Sequence, residues 1–147
     1  MARKYFCKIG KSEVTIVGAS DVDGIADELA SGSIEMVSDN NDATMVAQAD
    51  GTWAVDNELL RIKAKEDRDT ALQSSTYSLA DGSEYQVRPQ DLANFQITID
   101  GGVSEEWVLA DNTIRLTTIA ELQEILIAGI AQGKAVWTDY KTTIRAL

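Results

Sequence analysis

The stretch Glu105-Glu106-Trp107-Val108-Leu109-Ala110-Asp111-Asn112-Thr113-Ile114-Arg115-Leu116-Thr117-Thr118 decides how this chain reads. Glu106–Leu109 and Thr113–Leu116 form two short β-prone runs around Asp111-Asn112, a turn pair, which predicts a hairpin. Thr118 then stands three residues before Glu121, the capping-box spacing that opens a helix. From there Ile119, Leu122, Leu126, Ile130, Trp137, Tyr140, Ile144 and Leu147 recur at gaps of three, four or seven, an apolar stripe along one helix side to the end of the sequence. Gly129 and Gly133 interrupt that helix at four-residue spacing, where another backbone can come close.

Working back towards the N-terminus, Gly101-Gly102 ends a shorter helix that Asp91 caps after Pro89, with Leu92, Phe95 and Ile99 on its buried side. Tyr77–Leu79 and Glu84–Val87 flank Asp81-Gly82 as another hairpin. A polar helix from Glu58 to about Leu72, capped by Asn57, has a thin stripe of Leu59, Leu60, Ile62, Ala64 and Leu72. Lys63, Lys65, Glu66, Asp67, Arg68 and Asp69 supply its solvated side. The first part reads as Tyr5–Ile9 and Glu13–Val17 joined by Gly10-Lys11-Ser12, then a helix opened by Ser20 with Asp23 and ended by Gly32. Ile34–Val37 and Ala43–Ala49 follow as a second hairpin, and Thr52–Val55 continues the sheet after Asp50-Gly51. The expected architecture is α+β: residues 1–56 an antiparallel β unit with one helix, 57–74 a connector helix, and 75–147 a hairpin-and-helix domain ending in a long amphipathic helix.

Composition excludes several function classes. With 24 acidic against 13 basic residues the net charge is −11, a field that repels nucleic-acid backbones and anionic lipid. Between Lys11 and Arg61 there is no basic residue, while eleven carboxylates fall in that interval, an acidic lobe suited to a basic partner. No apolar run has membrane-spanning length, and Met1–Lys8 has no signal-peptide core, so synthesis in a cytoplasm is expected. The absence of histidine removes the commonest general base and metal ligand together. Cys7, the only cysteine, sits in a strand pattern as a small buried hydrophobe.

The remaining motifs have structural readings. Asp39-Asn40-Asn41-Asp42 offers oxygens but lacks the spacing, glycine and closing glutamate of a calcium loop. Asp21-Val22-Asp23-Gly24 is accounted for by helix capping. Glu105 and Glu106 beside Trp107 suggest a sugar site, yet neighbours on a strand point to opposite faces and cannot converge. Trp107 is expected to plug the core between its hairpin and the last helix, and Trp53 and Trp137 have the same default. No triad, Ser-x-x-Lys or phosphate-binding glycine pattern occurs, so no enzyme, cofactor or metal is expected.

From about Leu60 to Leu147 the chain resembles a small domain of unknown function found in tailed-bacteriophage proteins, often C-terminal in tail-fibre or tail-fibre-assembly-like chains. The resemblance rests on the charged run Lys65–Asp69, the Asp81-Gly82 hairpin, the helix at Asp91, the Trp107–Thr118 passage and the long helix after it. More loosely, Ile34–Val37 and Ala47–Trp53 are similar to short β units that precede that domain. The resemblance implies a non-enzymatic virion protein of the tail, near baseplate or fibre attachment, made in the host cytoplasm. It would act by contact with other tail proteins and with copies of itself, a trimer being favoured. Leu60 and the stripe from Ile119 to Leu147 would be its interface. A tail-fibre assembly chaperone, a capsid decoration protein and a host-directed binding module are the alternatives.

Overall fold

The computed structural model describes residues 2–40 and 42–147; Met1 of the N-terminal stretch and Asn41 of the calcium-like run lie outside them. The fold is α+β, with small antiparallel sheets and a long C-terminal helix. It divides into two compact units, residues 1–63 with Leu147, and residues 64–146.

In the first unit β1 (Arg3–Cys7) lies between β2 (Thr15–Gly18) and β3 (Ile34–Met36), antiparallel to both. The expected hairpin of Ile34–Val37 with Ala43–Ala49 does not form. β3 pairs with β1 instead, and β4 (Met45–Ala47) pairs with β5 (Trp53–Val55). Pairing with the central strand places Met36 beside Cys7 and Ala47, which form the core with Tyr5, Ile34 and Trp53 packed on it. Gly51, at φ +81°, is needed in the β4–β5 turn because a Cβ there would come within 2.7 Å of the Glu35 carbonyl oxygen. The connection from β1 to β2 is longer than a tight turn at Gly10-Lys11-Ser12, since Cys7 and Thr15 bound it. Within that loop Gly10 N–H donates to the Ala47 carbonyl, and Ala47 N–H to that of Lys11.

Helix α1 (Val22–Ala30) is capped by Asp21, whose carboxylate accepts from Gly24 N–H at 3.0 Å, one residue later than the expected start at Ser20. Asp56, and not Asn57, caps α2 (Asn57–Gln73), accepting from the N–H groups of Glu58 and Leu59 at 2.8 and 3.1 Å. An aspartate one residue upstream meets the free amides of the first turn with a full charge, which suits the helix dipole.

In the second unit β6 (Thr76–Ser78) pairs with β7 (Glu84–Gln86), and β8 (Glu105–Val108) with β9 (Ile114–Thr117). α3 (Pro89–Gly101) starts with proline in its first turn and stops at Gly102, a left-handed cap at φ 69°. Its N-cap is Arg88. Asp91 works from the third helical position, accepting from Arg88 N–H at 3.1 Å and from the Arg88 guanidinium. α4 (Ile119–Arg145) opens with the expected box: Thr118 accepts from Glu121 N–H and Glu121 from Thr118 N–H. The core is Leu79, Tyr85, Val87, Phe95, Leu109, Leu122 and Ile125. Gly129 fits against it only because it lacks a side chain, since a Cβ would sit 2.5 Å from Leu92 Cδ2 and 3.0 Å from Val87 Cβ. Gly133 faces open space. Among the described residues no helix is long and apolar enough to cross a membrane.

Candidate functional site

Four turns consume much of the acidic chemistry. Asp42, Asp50, Asp81 and Asp111 each accept from the backbone N–H two residues on, at 2.8 to 3.0 Å, and three also take the Thr44, Thr52 or Thr113 hydroxyl. These hydrogen bonds favour the charged carboxylates and hold all four below the ordinary aspartate range. Asp42 of the calcium-like run is thereby engaged with Thr44. Asn40 in the same run donates to the Ser12 carbonyl at 3.0 Å.

The densest polar cluster is also structural. Arg115, on β9, reaches Asp81 at 2.8 Å and Glu121 at 2.7 Å, and donates to Tyr85 Oη at 3.0 Å. Tyr85 Oη lies 2.8 Å from Thr117 Oγ1 inside the core. The guanidinium, helped by the Thr118 amide, pulls Glu121 down to about 2, and Glu121 and Tyr85 in turn raise Arg115. One arginine thus ties a turn, a strand and the start of α4 together, a role that no spacing of residues signals.

Glu105 and Glu106 do not converge: Glu105 approaches Thr98 Oγ1 at 3.3 Å, while Glu106 pairs across the hairpin with Leu116. Trp107 packs on Phe95 of α3, ring centroids 4.6 Å apart, against the core that also holds Leu122 and Ile125 of α4. It is half-buried, and its indole Nε1 is shielded from solvent with no hydrogen-bond partner among the described residues. Cys7 is buried as expected, and burial pushes its thiol up.

The predicted interface stripe is split by the fold. Leu122 is wholly buried and is withdrawn as an interface residue, because the core formed by Tyr85, Phe95 and Ile125 closes over it. Ile119 and Leu126 are half-buried against the same core. Tyr140 and Ile144 are half-buried further along α4, and Trp137 stays 43% exposed. Arg68, expected on the solvated side of α2, instead lies over both rings, its guanidinium carbon 4.5 Å from the Trp137 centroid and 4.6 Å from that of Tyr140. Leu60 is half-buried on α2, and Leu147 is half-buried and belongs to the first unit. The side of α4 that turns inward runs through Ile125, Gly129 and Val136, which the stripe from Ile119 did not include.

Among the exposed apolar side chains of the described residues, two groups lie on the β8–β9 hairpin and on α4 of the second unit. Val108 and Ile114 stand directly opposite each other on the outer face of the β8–β9 hairpin, with Leu116 beside them, all more than 60% exposed. On α4, Ile127 is 70% exposed, Ile130 41%, and Trp137 lies on the same flank. The hairpin face was legible as alternation, Val108 with Ile114 and Leu116; Ile127 lies off the stripe drawn from Ile119.

No family model, curated protein or solved structure matches this chain.

Proposed function

We propose that this chain is a non-enzymatic structural protein of a bacteriophage virion, an adaptor of the tail, baseplate or tail fibre that acts through protein–protein contacts in a symmetric assembly. The observation that carries the reading is the pair of uncovered apolar surfaces on one unit, the β8–β9 outer face and the flank of α4. Aliphatic side chains gathered on a rigid hairpin and on a 27-residue helix favour association, since burying each against a partner releases water from apolar area. Asp42, Asp50, Asp81 and Asp111 are engaged in turns and Glu121 in a helix cap and the Arg115 cluster, so these carboxylates serve the fold. The resemblance of residues 60–147 to a tail-associated domain supplies the biological setting, in which copies of one chain are arranged symmetrically.

Mass spectrometry of purified virions tests the reading. Recovery of this chain at fixed stoichiometry with tail proteins is the expected result. Its absence from finished particles, with presence in assembly intermediates, would overturn the adaptor role and favour the assembly chaperone.

A further inference from the structure

The hairpins β4–β5, β6–β7 and β8–β9 are repeats of one module. They turn on Ala49-Asp50-Gly51, Ala80-Asp81-Gly82 and Ala110-Asp111-Asn112, and each leads into a helix, α2, α3 or α4. In all three the residue before the alanine donates its N–H to the carbonyl two past the aspartate. Gln48 donates to Thr52, Leu79 to Ser83 and Leu109 to Thr113, at 2.8 to 3.0 Å. Gly51, Gly82 and Asn112 hold left-handed backbone at φ 81°, 87° and 65°. The registers also coincide: Ala47 faces Trp53, Ser78 faces Glu84 and Val108 faces Ile114, each pair three residues either side of its aspartate. Between the second and third repeats the offset of 30, from Asp81 to Asp111, continues unbroken into the helices. It maps the N-cap Arg88 on Thr118, the box acid Asp91 on Glu121, and the core residues Leu79 on Leu109 and Phe95 on Ile125.

One backbone therefore presents the same face three times, with different side chains on it. On β4–β5 the face carries Ala47 and Trp53, which pack with Cys7 and Met36 of the three-stranded sheet. On β6–β7 it carries Ser78, Glu84 and Gln86, exposed and polar. On β8–β9 the equivalent positions are Val108, Ile114 and Leu116, 62%, 66% and 61% exposed. The second repeat shows that this hairpin folds with a polar outer face, so the three aliphatic residues of the third answer to a contact. The first repeat shows the kind of contact, in which the face packs on apolar side chains of a β-sheet. Among the described residues, the three-stranded sheet has buried side chains on both sides, Phe6 and Val17 on one and Cys7 and Met36 on the other. The β face on which three aliphatic side chains stand together in solvent is that of β8–β9 itself, so the chain carries its own complement.

We infer that two copies of the chain pair through the outer faces of their β8–β9 hairpins, Val108, Ile114 and Leu116 of one against the same residues of the other, about a two-fold axis. Electrostatics favours this approach: a chain of net charge −11 repels its copy, and these three residues bring no charge to the contact. The carboxylate on the face is Glu106, opposite Leu116 at the end away from the turn. A two-fold axis through the Val108–Ile114 pair, with the strands antiparallel, sets the two Glu106 residues about 13 Å apart, beyond the Debye length at physiological salt. The contact is isologous and closes at a dimer. A face of three side chains is smaller than the roughly 800 Å² per partner of a standard stable interface, so the dimer depends on concentration. This deepens the adaptor reading, on which it rests for its setting, by naming the partner as a second copy.

Sedimentation equilibrium on the full chain, across a concentration series, tests the pairing. The wild type should pass from 16.0 kDa towards twice that mass as concentration rises. Val108→Ser with Ile114→Glu and Leu116→Gln gives the third hairpin the outer face of the second, which the same backbone already carries. This triple variant should fold by circular dichroism and stay at 16.0 kDa throughout. Ile127→Glu, at an exposed position of α4, should leave the dimer intact. A wild type that stays monomeric at every concentration would overturn the inference and leave the face to a different tail component. A folded triple variant that still dimerises would overturn it as well, and so would loss of the dimer in Ile127→Glu. Where the triple variant does not fold, Ile114→Glu alone decides by the same criterion. Virion recovery is a separate outcome: a monomer found in virions refutes only the pairing, and a dimer absent from them refutes only the adaptor role.

Discussion

Gly129 and Gly133 lie one turn apart on α4, and the same substitution should act on them with opposite sign. Alanine in a helix interior is favoured over glycine by about 0.8–1.0 kcal/mol. At Gly133 a Cβ meets nothing within 4 Å outside its own helix, so Gly133→Ala should show that gain nearly in full. At Gly129 the new Cβ falls 2.5 Å from Leu92 Cδ2 and 3.0 Å from Val87 Cβ. Leu92 Cδ2 ends a half-buried side chain and can turn away, but Val87 is a buried, β-branched residue with little freedom. Overpacking of this kind costs roughly 1–3 kcal/mol. Set against the propensity gain, Gly129→Ala should destabilise by about 1 kcal/mol, leaving the two variants roughly 2 kcal/mol apart. Urea unfolding followed by far-ultraviolet circular dichroism measures both in one host, with equal slopes confirming that the unfolded states are comparable. Equal stabilisation by the two substitutions would refute the close approach of α4 to Val87 and Leu92, and with it the packing of the second unit.

Two further predictions test the interior. Glu121 is held at about 2 against an ordinary value of 4.5, chiefly by Arg115, so its contribution is present above the ordinary value and disappears as pH falls towards 2. Glu121→Gln should therefore lower stability at neutral pH and flatten its loss between those values in pH-dependent urea titrations. A slope identical to wild type would show that the Arg115 pair does not form. Trp107→Ala should cost about 3 kcal/mol, at the low end for aromatic truncation because the ring is half-buried. Trp107→Phe keeps a ring against Phe95 and removes a shielded N–H without a partner, so it should cost clearly less. Denaturant midpoints distinguish them; a loss below about 1 kcal/mol for the alanine variant would place the ring outside the core.

Local signals were legible wherever they acted within a few residues. The Thr118–Glu121 box, the Asp81-Gly82 and Asp111-Asn112 turns and the Gly102 stop lie where short-range spacing put them. The partner of β3 was not, because β1 and the run that follows it in the chain both offer a strand to pair with. Which one it takes depends on whether Met36 can reach Cys7 and Ala47. The inward side of α4 was misread for a related reason. A stripe of large apolar residues includes Ile130 and Trp137, while the line that packs runs through Gly129, whose value is the absence of a side chain.

By itself the sequence determined the order of helices and strands, the acidic lobe and the absence of histidine, since each is a property of neighbouring residues or of composition. Only the tertiary structure decided which apolar residues are spent inside. Leu122 disappears into the core, Arg68 leaves the solvated side to cover Trp137 and Tyr140, and Val108, Ile114 and Leu116 stay outside. The physical reason is that burial depends on what lies across the gap in space. Hydropathy along the chain records only how much each side chain would gain if something did.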